Sequence, residues 1–359
     1  MAAALVTLLP RLDLHTGIHG SLLQDPPSAV RYNVRWGVHV FERFGRTNRS
    51  QYCPLHELSA FEAIDASGSS GIVHAVRWPV LARRGWVADM DDWGYPCLLG
   101  RAVWNPEVRR RYRRAANRTF QRLVRARAAR MVRAYAHASC VRIFTCTEHA
   151  ILETAQCLVA LDLEREGEGV LRKMHVLHPS QRAHSRTLVA HKWEQRPLRV
   201  LFIGRDYEQK NGALAVDVLA AMGARFPEVR FCYVGPIPEP RHLAKLLRVH
   251  NVEYHEALPR PQLLNMVRDA HVLFHPARYE SFGMVFTEAA AAGMAVVASC
   301  DGDMVHVREF LDDGNAYLVK RNGLTPEAEW ARFGRVLSHV LQCPGEAKRK
   351  AMRLHTTAE

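Results

Sequence analysis

The chain has 359 residues, with 49 lysines and arginines against 36 aspartates and glutamates, so its net charge is +13 when histidine is neutral. Hydrophobic residues make up 48% and charged residues 24%, which are the proportions of a folded globular protein and exclude a disordered or fibrous chain. The length is about twice that of a ~150-residue domain, so two hydrophobic cores are expected. The positive charge predicts an anionic partner, whether a nucleic acid, a nucleotide or an acidic lipid surface.

Cysteine usage and hydropathy indicate the compartment. The eight cysteines are scattered and include no C-x-x-C pair, which argues against a zinc ribbon or a disulfide framework. We interpret them as reduced, mostly buried thiols in a reducing compartment. No stretch reaches the ~18 to 20 apolar residues that a membrane span requires. These features predict a cytoplasmic protein.

Strand-like runs recur through the first half of the chain, separated by loops and helices. Met1–Leu9 lacks a basic start and a long apolar core, so we interpret it as a buried strand rather than a signal peptide. The later runs are Val34–Phe41, Gly71–Val76 and Arg142–Thr145. Ser180–Pro197 is polar, has no apolar periodicity and ends in proline, which predicts an interdomain linker.

Beyond that segment, short apolar runs rich in β-branched residues alternate with helical patterns. The predicted strands are Leu198–Ile203, Val229–Val234, Val252–Leu258, His271–His275 and Met294–Ser299. This alternation predicts a parallel sheet covered by helices on both faces, with ligands at the carboxyl ends of the strands. We therefore predict an α/β protein with two Rossmann-like, doubly wound parallel-sheet domains that face a cleft, over residues 1–185 and 197–359.

The loop after the first strand of the second half combines glycine with positive charge. It runs from Gly204 to Gly212 and carries Arg205 and Lys210 just before a predicted helix. Glycine permits a tight turn, and the N-terminus of a helix attracts anions, so the loop suits a diphosphate. It matches neither the Walker loop nor G-x-G-x-x-G. The alternative is a solvated basic turn.

Two acids eight positions apart follow the strand His271–His275. Gly283 and the alanines after it predict that Glu288 lies inside a helix and Glu280 in the preceding loop. The backbone N–H groups of Gly283 and Met284 are then expected to point at an anion. Glu288 can accept both hydroxyls of a ribose, or it can cap or pair locally. An unpartnered carboxylate would be costly in such apolar surroundings.

Taken together, the basic loop and the spaced acids resemble a known family. Arg205, Lys210 and the segment Glu280–Glu288 are similar to those of the retaining nucleotide-sugar glycosyltransferases of GT-B architecture, the glycosyl transferase group 1 or glycogen-synthase-like family. The likeness covers residues 197–323 and is faint before them. It implies a hexosyltransferase with an N-terminal acceptor domain and a C-terminal nucleotide-sugar donor domain, which retains configuration without a covalent enzyme intermediate.

The resemblance also implies roles for single residues. Arg205 and Lys210 would hold the donor diphosphate and stabilise its growing charge. Glu288 would bind the ribose. Glu280 would grip the sugar hydroxyls and the distal phosphate together with the backbone of Ser281, Phe282, Gly283 and Met284. The family implies a nucleotide diphosphate sugar as co-substrate and no tightly bound cofactor, and no metal is expected because the basic pair can replace a divalent ion.

Candidates in the first half are less distinctive. The family has a glycine-containing loop after its first strand, and the segment Thr16–Gly20, which includes Gly17 and His19, could serve there, although an ordinary βα turn fits equally. His74 ends a predicted strand where many relatives have two histidines, but Val76 occupies the second position. His74 is thus an acceptor-side contact or a core histidine. Three nearby acids can orient an acceptor hydroxyl or form an exposed loop: Asp89, Asp91 and Asp92.

Residues 101–133 contain twelve arginines and a single acid, Glu107. Apolar residues at helical spacing predict an amphipathic basic helix over 108–135. This helix can dock on the inner face of an anionic membrane, as in peripheral glycosyltransferases that act on lipid acceptors. Alternatively, its apolar stripe is simply part of the core.

The predicted partners are a nucleotide-sugar donor and an unidentified hydroxyl acceptor, either lipid-linked or a polysaccharide. Nucleic acid is not expected, because no recognised binding motif accompanies the arginines. Two alternatives to glycosyl transfer are kept: a nucleotide-sugar epimerase on the same fold and a basic nucleic-acid-binding protein. Base recognition is expected around Gly235–Pro236 and Glu256–Pro259.

Overall fold

The computed structural model describes residues 3–10, 14, 18–35, 64–65, 71–76, 79–81, 85–90 and 118–358. Four predictions fall wholly or mostly outside them: those on Gly17, on Asp91 and Asp92, on the arginines before residue 118, and on the strand Val34–Phe41 beyond its first two residues. The chain divides into two compact units, Met1–His178 and Pro179–Glu359.

The first unit is built on a parallel sheet. Its strands are β1 (Ala4–Leu9), β2 (Val30–Val34), β3 (Ile64–Asp65), β4 (Ile72–Val76), β5 (Val80–Leu81), β6 (Trp86–Asp89), β7 (Cys140–Thr145) and β8 (Met174–Val176). Its described helices are α1 (His19–Gln24), α2 (Arg118–Ala136), α3 (Glu148–Ala160) and α4 (Glu164–Leu171). Six of these strands form one sheet in the order β2-β1-β4-β6-β7-β8, and β3 pairs with β5. Chain order reverses between β1 and β4.

The second unit repeats this plan. Its strands are β9 (Arg199–Ile203), β10 (Arg230–Val234), β11 (Val252–His255), β12 (Val272–His275), β13 (Ala295–Ser299) and β14 (Tyr317–Val319). Its helices are α5 (Arg186–Lys192), α6 (Gly212–Arg225), α7 (Pro240–Leu247), α8 (Arg260–Asp269), α9 (Met284–Ala291), α10 (Pro326–Gln342) and α11 (Pro344–Thr356), with a 3-10 helix at Gly302–Glu309. The strand order is β11-β10-β9-β12-β13-β14, all parallel, so chain order reverses between β9 and β12.

Both faces of the second sheet are covered by apolar packing. Along β9, Val200 and Phe202 belong to one core and Leu201 to the core on the opposite face. A strand buried on both faces has a continuous apolar sequence rather than an alternating one, which is why these strands were identifiable. The prediction of two Rossmann-like, parallel α/β units is confirmed, and the cleft between them stays a prediction.

The segment predicted as a linker, Ser180–Pro197, is instead folded as part of the second unit. The hydroxyl of Ser185 accepts a hydrogen bond from the backbone N–H of Leu188 and so caps α5. Val189 and Trp193 are buried, and Lys192 Nζ donates to the backbone oxygens that end α8 and α9. A helix of seven residues is too short to show apolar periodicity, which explains the error.

The arginine-rich helix α2 contributes to the first core. Met131, Val132 and Tyr135 are fully buried, and the Tyr135 ring packs 5.6 Å from that of Trp86. The alternative in which the apolar stripe is core is therefore confirmed for this part of the helix. No helix within the described ranges has the length and apolar content to cross a membrane.

Candidate functional site

Two loops of the second unit are held side by side where the sheet reverses its order. β9 and β12 are neighbours, with Leu201 opposite Leu273, and their carboxyl ends form the crevice in which ligands of such sheets bind. The backbone oxygen of Gln209, in the loop after β9, accepts hydrogen bonds from the N–H groups of Arg278 and Tyr279, in the loop after β12. The basic loop and the acidic loop are thus fixed against each other.

Lys210 and Glu280 form the centre of this site. Lys210 Nζ lies 2.5 Å from Glu280 Oε1, and both side chains are largely buried. Burial by itself would raise the pKa of Glu280, but the charge of Lys210 and a hydrogen bond from His275 outweigh it and hold the pKa at about 2. Glu280 is therefore a carboxylate at neutral pH, and its charge is balanced inside the site.

His275, the last residue of β12, supports the same carboxylate. Its Nε2 lies 2.9 Å from Glu280 Oε1, and its side chain is only 1% exposed. Burial lowers the pKa of His275, against the opposing effect of Glu280, so the neutral ring donates Nε2–H to the carboxylate. Within the described part of the chain, its Nδ1 has no hydrogen-bond partner. This residue carries no recognisable sequence signal because it lies inside an apolar strand run.

Two glycines let the basic loop approach the strand ends. A Cβ on Gly204 would lie 2.8 Å from Lys210 Cβ and 2.9 Å from the Phe202 ring. Gly235 has φ +149°, and a Cβ there would lie 2.0 Å from the Gly204 oxygen. Larger residues would push Lys210 away from Glu280.

The acidic motif is arranged around the start of α9. Gly283 precedes the helix with φ 86°, and a Cβ there would lie 2.6 Å from the ring of Phe286. The structure places Glu280 in the loop and Glu288 in the second turn, as the sequence predicts. The side chain of Phe282 packs against Phe310 with ring centroids 5.2 Å apart, so its backbone is what it can offer a ligand.

Glu288 has an ion-pair partner that lies outside the acidic motif. Its carboxylate is 7% exposed, and Oε1 accepts a hydrogen bond from Nη2 of Arg260, the first residue of α8. The alternative of a pairing within the fold is therefore real for Glu288, and it explains how the carboxylate is tolerated in its alanine-rich surroundings. Because Arg260 belongs to no recognisable motif, only the structure identifies it.

Arg205 behaves differently from Lys210. It is exposed, and its guanidinium has no ion-pair partner among the residues described. An exposed guanidinium keeps all its N–H donors for an incoming anion. The structure thus brings together Lys210, Glu280 and the start of α9, and leaves Arg205 at the solvent edge of the same loop.

The first unit carries a second polar cluster at its own sheet reversal. Asp89 ends β6, and its two oxygens lie 2.7 Å from His19 Nε2 and 3.4 Å from His74 Nε2. Burial opposes ionisation of Asp89, but the hydrogen bond from His19 and the proximity of the His74 ring hold its pKa well below the usual range. The exposed-loop interpretation is wrong for Asp89. His19, which begins α1, was predicted only as part of the glycine-containing segment Thr16–Gly20 and not as a partner of Asp89.

Comparisons with known proteins agree on the class. Residues 186–352 match the sequence profile of the family "Glycosyl transferases group 1". WaaG, a glycosyltransferase involved in lipopolysaccharide biosynthesis, superimposes over 99% of this chain and 95% of its own with a TM-score of 0.62 at 16% identity. A sucrose-phosphate synthase from Thermosynechococcus elongatus superimposes over 99% of this chain and 94% of its own, with a TM-score of 0.61 at 14% identity. These likenesses show the GT-B fold.

The curated relatives match over shorter segments. A phosphatidyl-myo-inositol mannosyltransferase of Mycolicibacterium smegmatis is 38% identical over 121 residues, which are 33% of this chain and 30% of the relative. The gpi3 subunit of a phosphatidylinositol N-acetylglucosaminyltransferase of Schizosaccharomyces pombe is 28% identical over 114 residues, 31% of this chain and 25% of the relative. A D-inositol 3-phosphate glycosyltransferase of Kribbella flavida is 33% identical over 144 residues, which are 36% of this chain and 34% of the relative. The chain therefore spans about a quarter to a third of the length of these relatives.

Proposed function

We propose that this protein transfers a sugar from a nucleotide diphosphate sugar to a hydroxyl acceptor, with retention of configuration. The observation that carries the proposal is the Lys210–Glu280 pair at the sheet reversal, next to the start of α9. When the bond to the sugar breaks, the departing diphosphate gains negative charge. Preorganised positive groups stabilise that charge, and loss of one such donor typically costs ~10²- to 10³-fold in rate.

Lys210 and Arg205 have complementary parts in this proposal. Lys210 is already fixed by Glu280, so its ammonium needs no reorganisation when the diphosphate arrives. The exposed Arg205 closes on the phosphates from the solvent side. The backbone N–H groups at the start of α9 face the distal phosphate, as at other helix N-termini that bind phosphate.

The two acids bind hydroxyl groups. Glu280 stays ionised at neutral pH and accepts hydrogen bonds from the sugar. Arg260 engages Oε1 of Glu288, which leaves Oε2 for a ribose hydroxyl. Since Glu280 is held by Lys210 and His275, we assign it to orientation of the sugar rather than to covalent attack.

The acceptor is assigned to the first unit. We propose that the cluster of His19, His74 and Asp89 orients an acceptor hydroxyl, because the carboxylate at the end of β6 fixes the His19 ring and lies 3.4 Å from His74 Nε2, whose hydrogen-bonding capacity is unused among the described residues. The names of the curated relatives point to inositol-containing acceptors. Inositol phosphates and phosphatidylinositol are therefore the acceptors to test first.

A panel of UDP-, GDP-, ADP- and dTDP-sugars tests the donor. A matching donor at about 100 times its Kd should stabilise the full chain by ~2.7 kcal/mol. Transfer to inositol acceptors should then follow, and Lys210→Ala and Glu288→Ala should each abolish or severely reduce it in a folded protein. Turnover of a donor without any acceptor would indicate an epimerase. Salt-sensitive binding of nucleic acid without any donor binding would contradict the proposal.

Association with a membrane is a separate part of the proposal. Helix α2 carries six arginines and no acid, and each basic side chain near an anionic surface contributes ~1 kcal/mol of attraction. Sedimentation with liposomes should deplete the protein from the supernatant when acidic lipid is present. Equal recovery with neutral and acidic liposomes would remove this part.

A further inference from the structure

A second group of chemically reactive side chains lies on the outer strands of the second sheet. Cys232 on β10 lies opposite Glu253 on β11, and Val234 lies opposite His255 in the same ladder. Side chains two positions apart on a strand share a face, so Glu253 and His255 project on one side of β11. The sulfur of Cys232 and the nitrogen and oxygen of these two residues all lie within 4.8 Å of one another.

We propose that Cys232, Glu253 and His255 form a binding site for Zn²⁺. Zinc prefers thiolate, imidazole and carboxylate ligands at ~2.0 to 2.3 Å, which places tetrahedral donors on the order of 3.5 Å apart. His255 Nε2 and Glu253 Oε1 are hydrogen-bonded at 2.6 Å, and all three donor atoms lie within 4.8 Å of one another. Side-chain rotations that separate the hydrogen-bonded pair by about 1 Å and draw the sulfur closer bring the three donors to one ion. This site lies on β10 and β11, whereas Lys210 and Glu280 follow β9 and β12.

The charges of the three ligands suit a divalent ion. The thiolate of Cys232 and the carboxylate of Glu253 balance two positive charges, and the neutral imidazole of His255 adds none. As the S–Zn bond forms, the thiol proton leaves Cys232 for solvent. The fourth position is left for a water molecule. Met266 of α8 lies with its sulfur 3.9 Å from the sulfur of Cys232 and covers that side of the site.

The exposure of two of the three ligands permits the ion to enter. The side chain of Glu253 is 61% exposed and that of His255 is 27% exposed, whereas Cys232 is only partly accessible. The ion would join the edge strand β11 to β10 just before the loops predicted to contact the base. Bound zinc should therefore stabilise this edge of the sheet without taking part in the phosphate chemistry.

The chain offers a matched comparison with the same residue types. His339 lies near both Cys343 and Glu346, but through opposite ring nitrogens: Nδ1 is 3.8 Å from the sulfur and Nε2 is 3.1 Å from the carboxylate. One ion cannot bind the sulfur and the carboxylate together with a single imidazole nitrogen in that arrangement. Cys343 therefore serves as the control cysteine.

Titration of the chelator-treated full chain with Co²⁺, followed by displacement with Zn²⁺, tests the proposal. One equivalent of Co²⁺ should give a thiolate-to-metal charge-transfer absorption that Zn²⁺ removes, and Zn²⁺ should raise the Tm. Cys232→Ser should abolish the absorption, and Glu253→Gln, at an exposed position, should weaken Zn²⁺ binding at least ~10-fold, since even outer-shell changes cost that much. Cys343→Ser should change neither.

Failure of Glu253→Gln to weaken binding would overturn the assignment, and so would absorption that persists in Cys232→Ser or disappears in Cys343→Ser. Absence of the absorption in the unaltered chain would do the same. If Cys232→Ser does not fold, alkylation of the unaltered chain decides the matter: Zn²⁺ should protect Cys232 and leave Cys343 reactive. Equal reactivity of Cys232 with and without Zn²⁺ would refute the site.

Discussion

Replacing Lys210 with methionine should destabilise the second unit at neutral pH. The pKa of Glu280 is about 2 instead of 4.5; burial opposes this lowering, and Lys210 is the largest influence that produces it. One pKa unit corresponds to ~1.36 kcal/mol, so the surroundings favour the carboxylate by about 3 kcal/mol. Because methionine keeps the apolar stem and removes the charge, Lys210→Met should lower the free energy of unfolding by an amount of that order.

The pH dependence has a definite sign. A carboxyl group with a lower pKa in the folded state contributes stability above its unfolded pKa and loses it as the pH falls through the folded value. For Glu280 that interval runs from 4.5 down to about 2. The difference in stability between the unaltered protein and Lys210→Met should therefore be full at neutral pH and shrink as the pH falls through this interval.

Urea unfolding of the full chain, with hydrogen–deuterium exchange followed on peptides from residues 271–291, measures the effect where the pair lies. Arg205→Met is the matched control, since Arg205 is exposed and unpaired within the described residues. Both variants should lose transfer activity, by ~10²- to 10³-fold for each removed donor. Only Lys210→Met should lose stability. Equal stability of the two variants at neutral pH would refute the reasoning.

Three further changes probe other parts of the site. Glu288→Gln removes the negative charge that pairs with Arg260. Calorimetry should show donor binding that is at least ~10-fold weaker, equivalent to ~1.4 kcal/mol. Unchanged donor affinity would exclude Glu288 from the donor site. Lys192→Met leaves two buried backbone oxygens without their hydrogen-bond donor, so it should lower the free energy of unfolding in urea by ~2 to 4 kcal/mol. A loss below about 0.5 kcal/mol would contradict this and would show that water replaces the ammonium group as donor. Gly235→Ala should lower the Tm, because the added Cβ would collide with the backbone oxygen of Gly204. Gly334→Ala is the control: the nearest atom to its added Cβ lies 3.9 Å away, so the Tm should stay unchanged or rise. Equal changes in Tm for the two variants would contradict the packing argument.

The fold was predictable where strands are buried on both faces. β9, β10, β12 and β13 each coincide with a continuous apolar run in the sequence, so neither periodicity nor long-range information was needed. The three-residue edge strand β14 and the seven-residue helix α5 were missed, because so few residues cannot show a period.

The site was predictable only in part, for a related reason. Lys210 and Glu280 could be placed because each follows a recognisable strand, and strands of a parallel sheet end at one edge. Their partners carry no such signal. His275 is hidden in an apolar strand, and Arg260 begins a helix 28 positions before Glu288. The order of the strands in the sheet decides which distant residues come into contact, and no local sequence pattern predicts that order.

Calorimetric titration of the full chain with the nucleotide diphosphate sugar selected from the donor panel tests the central claim most directly. One donor should bind per chain, with affinity reduced at least ~10-fold in Lys210→Met, a loss of ~1.4 kcal/mol or more. Donor binding of equal strength in the unaltered protein and in Lys210→Met would contradict the claim that the Lys210–Glu280 pair holds the diphosphate.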